Sequence, residues 1–103
     1  MKQHINMGQL EGLTLKQILK LAALTGVEPD LMQNNIEETW REDVSKVLNI
    51  GKMIEILEST DEFLEIVRLA EGDKPYIVHL KSGLIYHADN LCDALWEAVK
   101  ATL

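Results

Sequence analysis

The feature that most constrains this chain is the run from Pro75 to Leu103, where a β-hairpin leads straight into an amphipathic helix. Tyr76-Ile-Val-His-Leu80 and Leu84-Ile-Tyr-His-Ala88 are rich in β-branched and aromatic residues, and Lys81-Ser82-Gly83 separates them. A three-residue loop with Gly83 in the left-handed region pairs Leu80 with Leu84. That register puts Tyr76, Val78, Leu80, Leu84 and Tyr86 on one face and Ile77, His79, Ile85 and His87 on the other. A two-residue loop mixes the two sets, so the first register is expected, with its first face buried and both histidines turned away. Asp89 or Asn90 then opens a helix over 90–102. Its inward stripe is Leu91, Leu95, Ala98, Val99 and Thr102, widened by Ala94, with Trp96 on the flank.

A lone hairpin is only marginally stable, so the chain needs a third strand. Ser59–Ala70 supplies it, although the same run also fits a helix opened by a capping box at 59–62. As a strand over 62–70 it carries Phe63, Glu65, Val67 and Leu69 on one face and Leu64, Ile66, Arg68 and Ala70 on the other. Gly72-Asp73-Lys74-Pro75 turns the chain back.

Upstream the periodicity is helical. Residues 1–13 read as a lead-in free to move, anchored by Ile5, Leu10 and Leu13, with Asn6 capping a single turn. Thr14 caps a first helix over about 14–25, whose apolar stripe is Leu15, Ile18, Leu19 and Ala22; Gly26 ends it and Pro29 prevents continuation. Asn34 or Asn35 caps a second helix with the stripe Ile36, Trp40, Val44, Val47 and Leu48, supported by the i,i+4 pairs Glu37–Arg41 and Glu42–Lys46. Asn49 caps a third over about 50–58, with Ile50, Met53, Ile54 and Leu57 inward. The whole is one α+β domain over 1–103: three N-terminal helices, a small antiparallel meander (62–70, 76–80, 84–88), and a C-terminal helix packed on it. A domain of this length buries roughly two thirds of its unfolded surface, enough for one core.

Two stretches resemble a group of small, uncharacterised proteins of phages and prophages of Gram-positive bacteria: Leu48-Asn-Ile-Gly-Lys-Met-Ile-Glu-Ile-Leu57 and Leu91-Cys-Asp-Ala-Leu-Trp-Glu-Ala-Val-Lys100. The lead-in Ile5, Gln9-Leu10, Leu13-Thr14 is similar as well. More loosely, the helix–strands–helix order of 50–100 is similar to the phage ABA-sandwich domain. The resemblance implies an origin and a fold and carries over no functional residue.

Charge narrows the function further. The net charge is −7, but residues 27–73 alone hold thirteen acids and four bases, a net of −9, whereas residues 1–26 hold three lysines and one glutamate, a net of +2. A basic stripe for nucleic acid is missing. The second helix carries Glu37, Glu38, Glu42 and Asp43, the wrong sign for a recognition helix in a helix-turn-helix. The first twelve residues lack the apolar run of a secretory signal, no stretch approaches the ~18 apolar residues of a membrane span, and Cys92 is the single cysteine, so a cytoplasmic protein is expected; the resemblance implies that this is the cytoplasm of a bacterial host.

Candidate chemistry is sparse. His79 and His87 share a strand face, with His4 and Asp89 as the nearest additions to a zinc set of three or four. Cys92 opens the last helix five residues after His87, but Asp89 and Asp93 beside it disfavour a thiolate. Asp93 and Glu97 pair at i,i+4 without an evident pocket. No catalytic, metal or cofactor residue is assigned, and no enzyme is expected. The expected function is a phage accessory protein that binds another protein, a host or defence factor, through Glu37, Glu38, Glu42, Asp43, Glu55, Glu58, Asp61 and Glu62. The alternative is self-association as a homodimer through the unpaired sheet edge, joined by Trp40 and Trp96 if these are exposed; a small metal- or cysteine-dependent enzyme is a distant third.

Overall fold

A computed structural model describes residues 2–28 and 36–103, with side chains for 2–28 and 40–103. Among these residues the element order is a short 3-10 turn (Met7–Leu10), α1 (Leu15–Thr25), α2 (Ile36–Val47), α3 (Ile50–Ser59), β1 (Phe63–Arg68), β2 (Tyr76–Leu80), β3 (Ile85–Ala88) and α4 (Leu91–Thr102). The fold is α+β, with α4 packed on an antiparallel sheet of order β1-β2-β3. The Asn34/Asn35 cap, the Pro29 stop and the Glu37–Arg41 pair lie outside the described residues or side chains.

The hairpin adopts the register its loop dictates. Gly83 has φ 94°, its N–H donates to the Leu80 carbonyl at 3.0 Å, and Leu80 N–H donates to the Leu84 carbonyl at 2.9 Å. Val78 and Leu80 are fully or almost fully buried and Tyr76 and Tyr86 pack against the core, while His79 and His87 belong to the opposite face. Leu84, expected inside, is 50% exposed. It sits at the turn and lines an open cavity with Lys20 of α1 and with Ala101 and Thr102 at the end of α4.

β1 departs from strict alternation. Phe63 pairs with Leu80 but Glu65 pairs with His79, so Phe63 and Leu64 together oppose one residue. This bulge brings Phe63 and Ile66 to the same, core-packed side and leaves Leu64 exposed. Glu65 and Val67 are outward, so the expected set of Phe63 with Glu65 and Val67 is broken after its first member.

α4 is the centre of the domain because it is covered from two directions. The sheet lies on one side and α3 on another. Cys92, Ala94, Leu95, Trp96, Ala98 and Val99 are all buried, a wider face than the expected stripe and one that takes in Trp96. Asn90 caps the helix, its side chain accepting from Asp93 N–H at 2.8 Å.

The N-terminal helices follow their signals at the ends more closely than on their faces. Thr14 and Gln17 form a capping box on α1, and Gly26 closes it at φ 78°. The buried face is Ile18, Leu21 and Ala22 rather than the stripe through Leu15 and Leu19, which are 60% and 46% exposed. Trp40 anchors α2 in the core and donates its indole N–H to the Val27 carbonyl at 2.8 Å. Asn49 caps α3, whose buried residues are Met53, Ile56 and Leu57.

Nor does the lead-in stand apart. Ile5 N–H donates to the Leu48 carbonyl, Ile50 N–H to the Gln3 carbonyl, and Ile5 and Leu10 are core residues. It is laid across the α2–α3 junction, with the 3-10 turn packed on α2.

Candidate functional site

The acids that sequence reasoning picked out occupy three places. Glu42 and Asp43 are exposed on α2, Glu55 and Glu58 are exposed on α3, and Asp61 and Glu62 lie at the α3–β1 junction. The side chains of Glu37 and Glu38 are outside the described set. Three of the acids have lysine partners: Glu42 with Lys46 at 3.6 Å, Glu55 with Lys52 at 3.4 Å, and Asp61 with Lys81. Such exposed pairs contribute at most about 1 kcal/mol each and are screened by salt.

Asp61 also has a backbone role. Its φ is 58°, its N–H donates to the Glu58 carbonyl, and Glu62 N–H donates to the Leu57 carbonyl. These are the two bonds of a Schellman motif, with aspartate in the left-handed position glycine usually holds. The junction therefore brings Glu58, Asp61 and Glu62 together as the way out of α3.

The thiol and imidazole candidates are separated. Cys92 is fully buried on α4, under the inner sheet face, whereas His87 pairs with Ile77 on the outer face. Burial pushes the Cys92 thiol up, Lys2 opposes that, and Asp93 adds to it. His79 has Glu65 as its neighbour at 3.4 Å. Among the described residues no three His, Cys, Asp or Glu side chains are grouped to hold a metal.

A different polar centre was invisible in the sequence. Asp93, at the start of α4, accepts from Lys2 Nζ at 2.7 Å, Gln9 Nε2 at 2.8 Å and Asn90 Nδ2 at 2.8 Å. Burial alone would raise its pKa, but the hydrogen bonds from Lys2, Asn90 and Gln9 outweigh it and hold the carboxyl below 3.8. Gln9 Oε1 also accepts from Lys2 Nζ and from Asn6 N–H, so the 3-10 turn and α4 share one network. Two of the three partners of Asp93, Gln9 and Lys2, are 84 and 91 residues away, beyond any local pattern. Its three donors occupy the carboxylate and tie the lead-in down, which is a structural task.

Asp93 and Glu97, expected to have no pocket, line an open surface cavity with Gln9, Lys74, Tyr86 and His87. Among the described residues a further surface feature is the side of the sheet on which α4 does not pack. Inner positions Val78 and Leu80 face α4, so their neighbours Ile77 and His79 belong to the other side, where Ile77 is nevertheless buried and His79 half-buried. The outer face carries Val67 beside Ile77 in one cross-strand row and Ile85 diagonal to Ile77, with Glu65, His79 and His87 between and around them. Ile85 is 51% exposed, and Leu69 and Leu64 are exposed along β1. Glu62, Glu65, Glu71 and Asp73 give the β1 side an acidic rim.

No family model matches the sequence, and neither a curated protein nor a solved structure matches it. No helix among the described residues is long and apolar enough to cross a membrane.

Proposed function

We propose that this protein is a non-enzymatic accessory protein that works by binding another protein, with the open face of the sheet as its contact surface. The carrying observation is that, among the described residues, α4 packs on one sheet face only, leaving exposed Ile85 and half-buried Val67 around Ile77, itself only 8% exposed, on the other. An apolar centre within a polar rim is the usual anatomy of a protein contact. The rim on the β1 side is acidic, and residues 27–73 sum to −9, so the complementary surface is apolar with basic flanks. The exposed acids of α2 and α3, Glu42, Asp43, Glu55 and Glu58, act in this reading as a steering field rather than as the contact. The setting, on the resemblance of the α3 and α4 motifs, is a phage or prophage protein in the cytoplasm of a bacterial host.

A defined probe tests the contact surface. An amphipathic helical peptide of leucine and lysine is titrated into isotope-labelled protein, beside its leucine–glutamate counterpart. The expected result is saturable, salt-sensitive movement of the Val67, Ile77 and Ile85 signals with the lysine peptide alone. Equal effects of both peptides, or movement confined to the α2 and α3 acids, refute it.

A further inference from the structure

We propose that the open sheet face takes up α1 of a second copy of this chain, in a head-to-tail contact. The inference rests on the sheet-face reading above and names the occupant.

Among the described residues the outward side of α1 is apolar and exposed. Leu15, Leu19 and Ala23 recur at i, i+4 and i+8 and are all exposed, while Ile18, Leu21 and Ala22 face the core. Lys16 and Lys20 flank that stripe. α1 therefore presents on its outside what the sheet face calls for, an apolar line with basic flanks.

Charge and size both fit. Residues 15–25 hold two lysines and no acid, a net of +2, whereas residues 61–88 hold five acids (Asp61, Glu62, Glu65, Glu71, Asp73) and three bases (Arg68, Lys74, Lys81), a net of −2. Sheet against sheet would set like charges together, and α1 against α1 likewise; only α1 against sheet pairs opposite signs. Eleven helical residues span about 16 Å. β1 and β2, of six and five residues, span roughly 17–20 Å and β3, of four, about 13 Å, so the helix lies along the first two and overhangs only the third. A single helix on a three-stranded face falls short of the roughly 1,600 Å² of a standard interface, so the contact is weak and reversible. Each copy offers one donor helix and one acceptor face, so the contact is heterologous and extends beyond two copies unless it closes into a ring.

Two variants at exposed positions separate the surfaces: Leu19→Glu alters α1 and Ile85→Lys alters the sheet. Both are checked for unchanged circular dichroism and melting, and their masses are then followed by light scattering over a concentration series. The wild type is expected to grow in mass with concentration. Each variant alone is expected to lose at least about ten-fold in association constant, since an apolar contact is lost and a like charge is introduced. The equimolar mixture is expected to regain association but stop at two chains, because one intact helix meets one intact face. A wild type that stays monomeric to millimolar concentration overturns the proposal. Loss in Ile85→Lys with full association in Leu19→Glu also overturns it, while leaving the sheet-face reading standing; unchanged association in both variants refutes the two together.

Discussion

Replacing Asp93 with alanine removes the carboxylate that accepts from Lys2, Gln9 and Asn90 while leaving the α4 cap in place, because Asn90 bonds to the backbone N–H of residue 93. Lys2 and Asp93 are each 29% exposed, so the ion pair is discounted toward the surface value of about 0.2–1 kcal/mol. The two amide donors add roughly 0.5–1.5 kcal/mol each, with incomplete additivity. The expected loss is about 2 kcal/mol near pH 7, a fall in melting temperature on the order of 10 °C for a domain of this size. The pH dependence has a definite sign. The folded carboxyl titrates below its ordinary 3.8, so its contribution is complete above that value and is lost as pH falls through the folded pKa. Urea unfolding of wild type and Asp93→Ala should therefore differ near pH 7 and converge in strong acid. Equal midpoints near pH 7, or a gap that persists unchanged in acid, refute the role given to this network.

Gly83→Ala forces a Cβ onto a residue at φ 94° and is expected to lower stability by about 1 kcal/mol in thermal melts. Gly51→Ala is expected to do the reverse by up to about 1 kcal/mol, since Gly51 is helical and an added Cβ meets only Asn49 Oδ1 at an ordinary 3.5 Å. Cys92 is buried with its thiol pushed up, so alkylation at mildly alkaline pH should be far slower in the folded protein than in urea; equal rates would contradict that burial.

What the sequence made legible followed from local chemistry. Gly83 with two alternating runs settled the hairpin register, and Thr14, Asn49, Asn90 and Gly26 settled helix ends, because each signal acts within a few residues. The faces were harder. The bulge at Phe63–Leu64 adds one residue against Leu80 and so reverses the alternation that a strict two-residue period assumes. In α1, Leu15, Ile18, Leu19, Leu21, Ala22 and Leu24 offer more apolar surface than one side of a helix can bury, and only the neighbours decide which side wins. Trp96 read as a flank residue and Cys92 was left out of the stripe because one stripe was assigned to one neighbour, whereas α4 is enclosed by both the sheet and α3. The Asp93 network needed the fold itself, since it joins residues from opposite ends of the sequence. These faces also matter for function: Leu15 and Leu19, expected inside but exposed, and Val67 and Ile85, the latter outward as expected, belong to the two surfaces brought together above.

Methyl-resolved NMR over a concentration series reads directly whether the outer sheet face is the contact surface. The prediction is that the methyl signals of Val67, Ile77 and Ile85 shift progressively from micromolar to millimolar protein, while those of Ile56, Leu57 and Val99 in the core stay fixed. Methyl signals of the sheet face that hold still while others move, or that hold still throughout with and without the basic peptide, would contradict it.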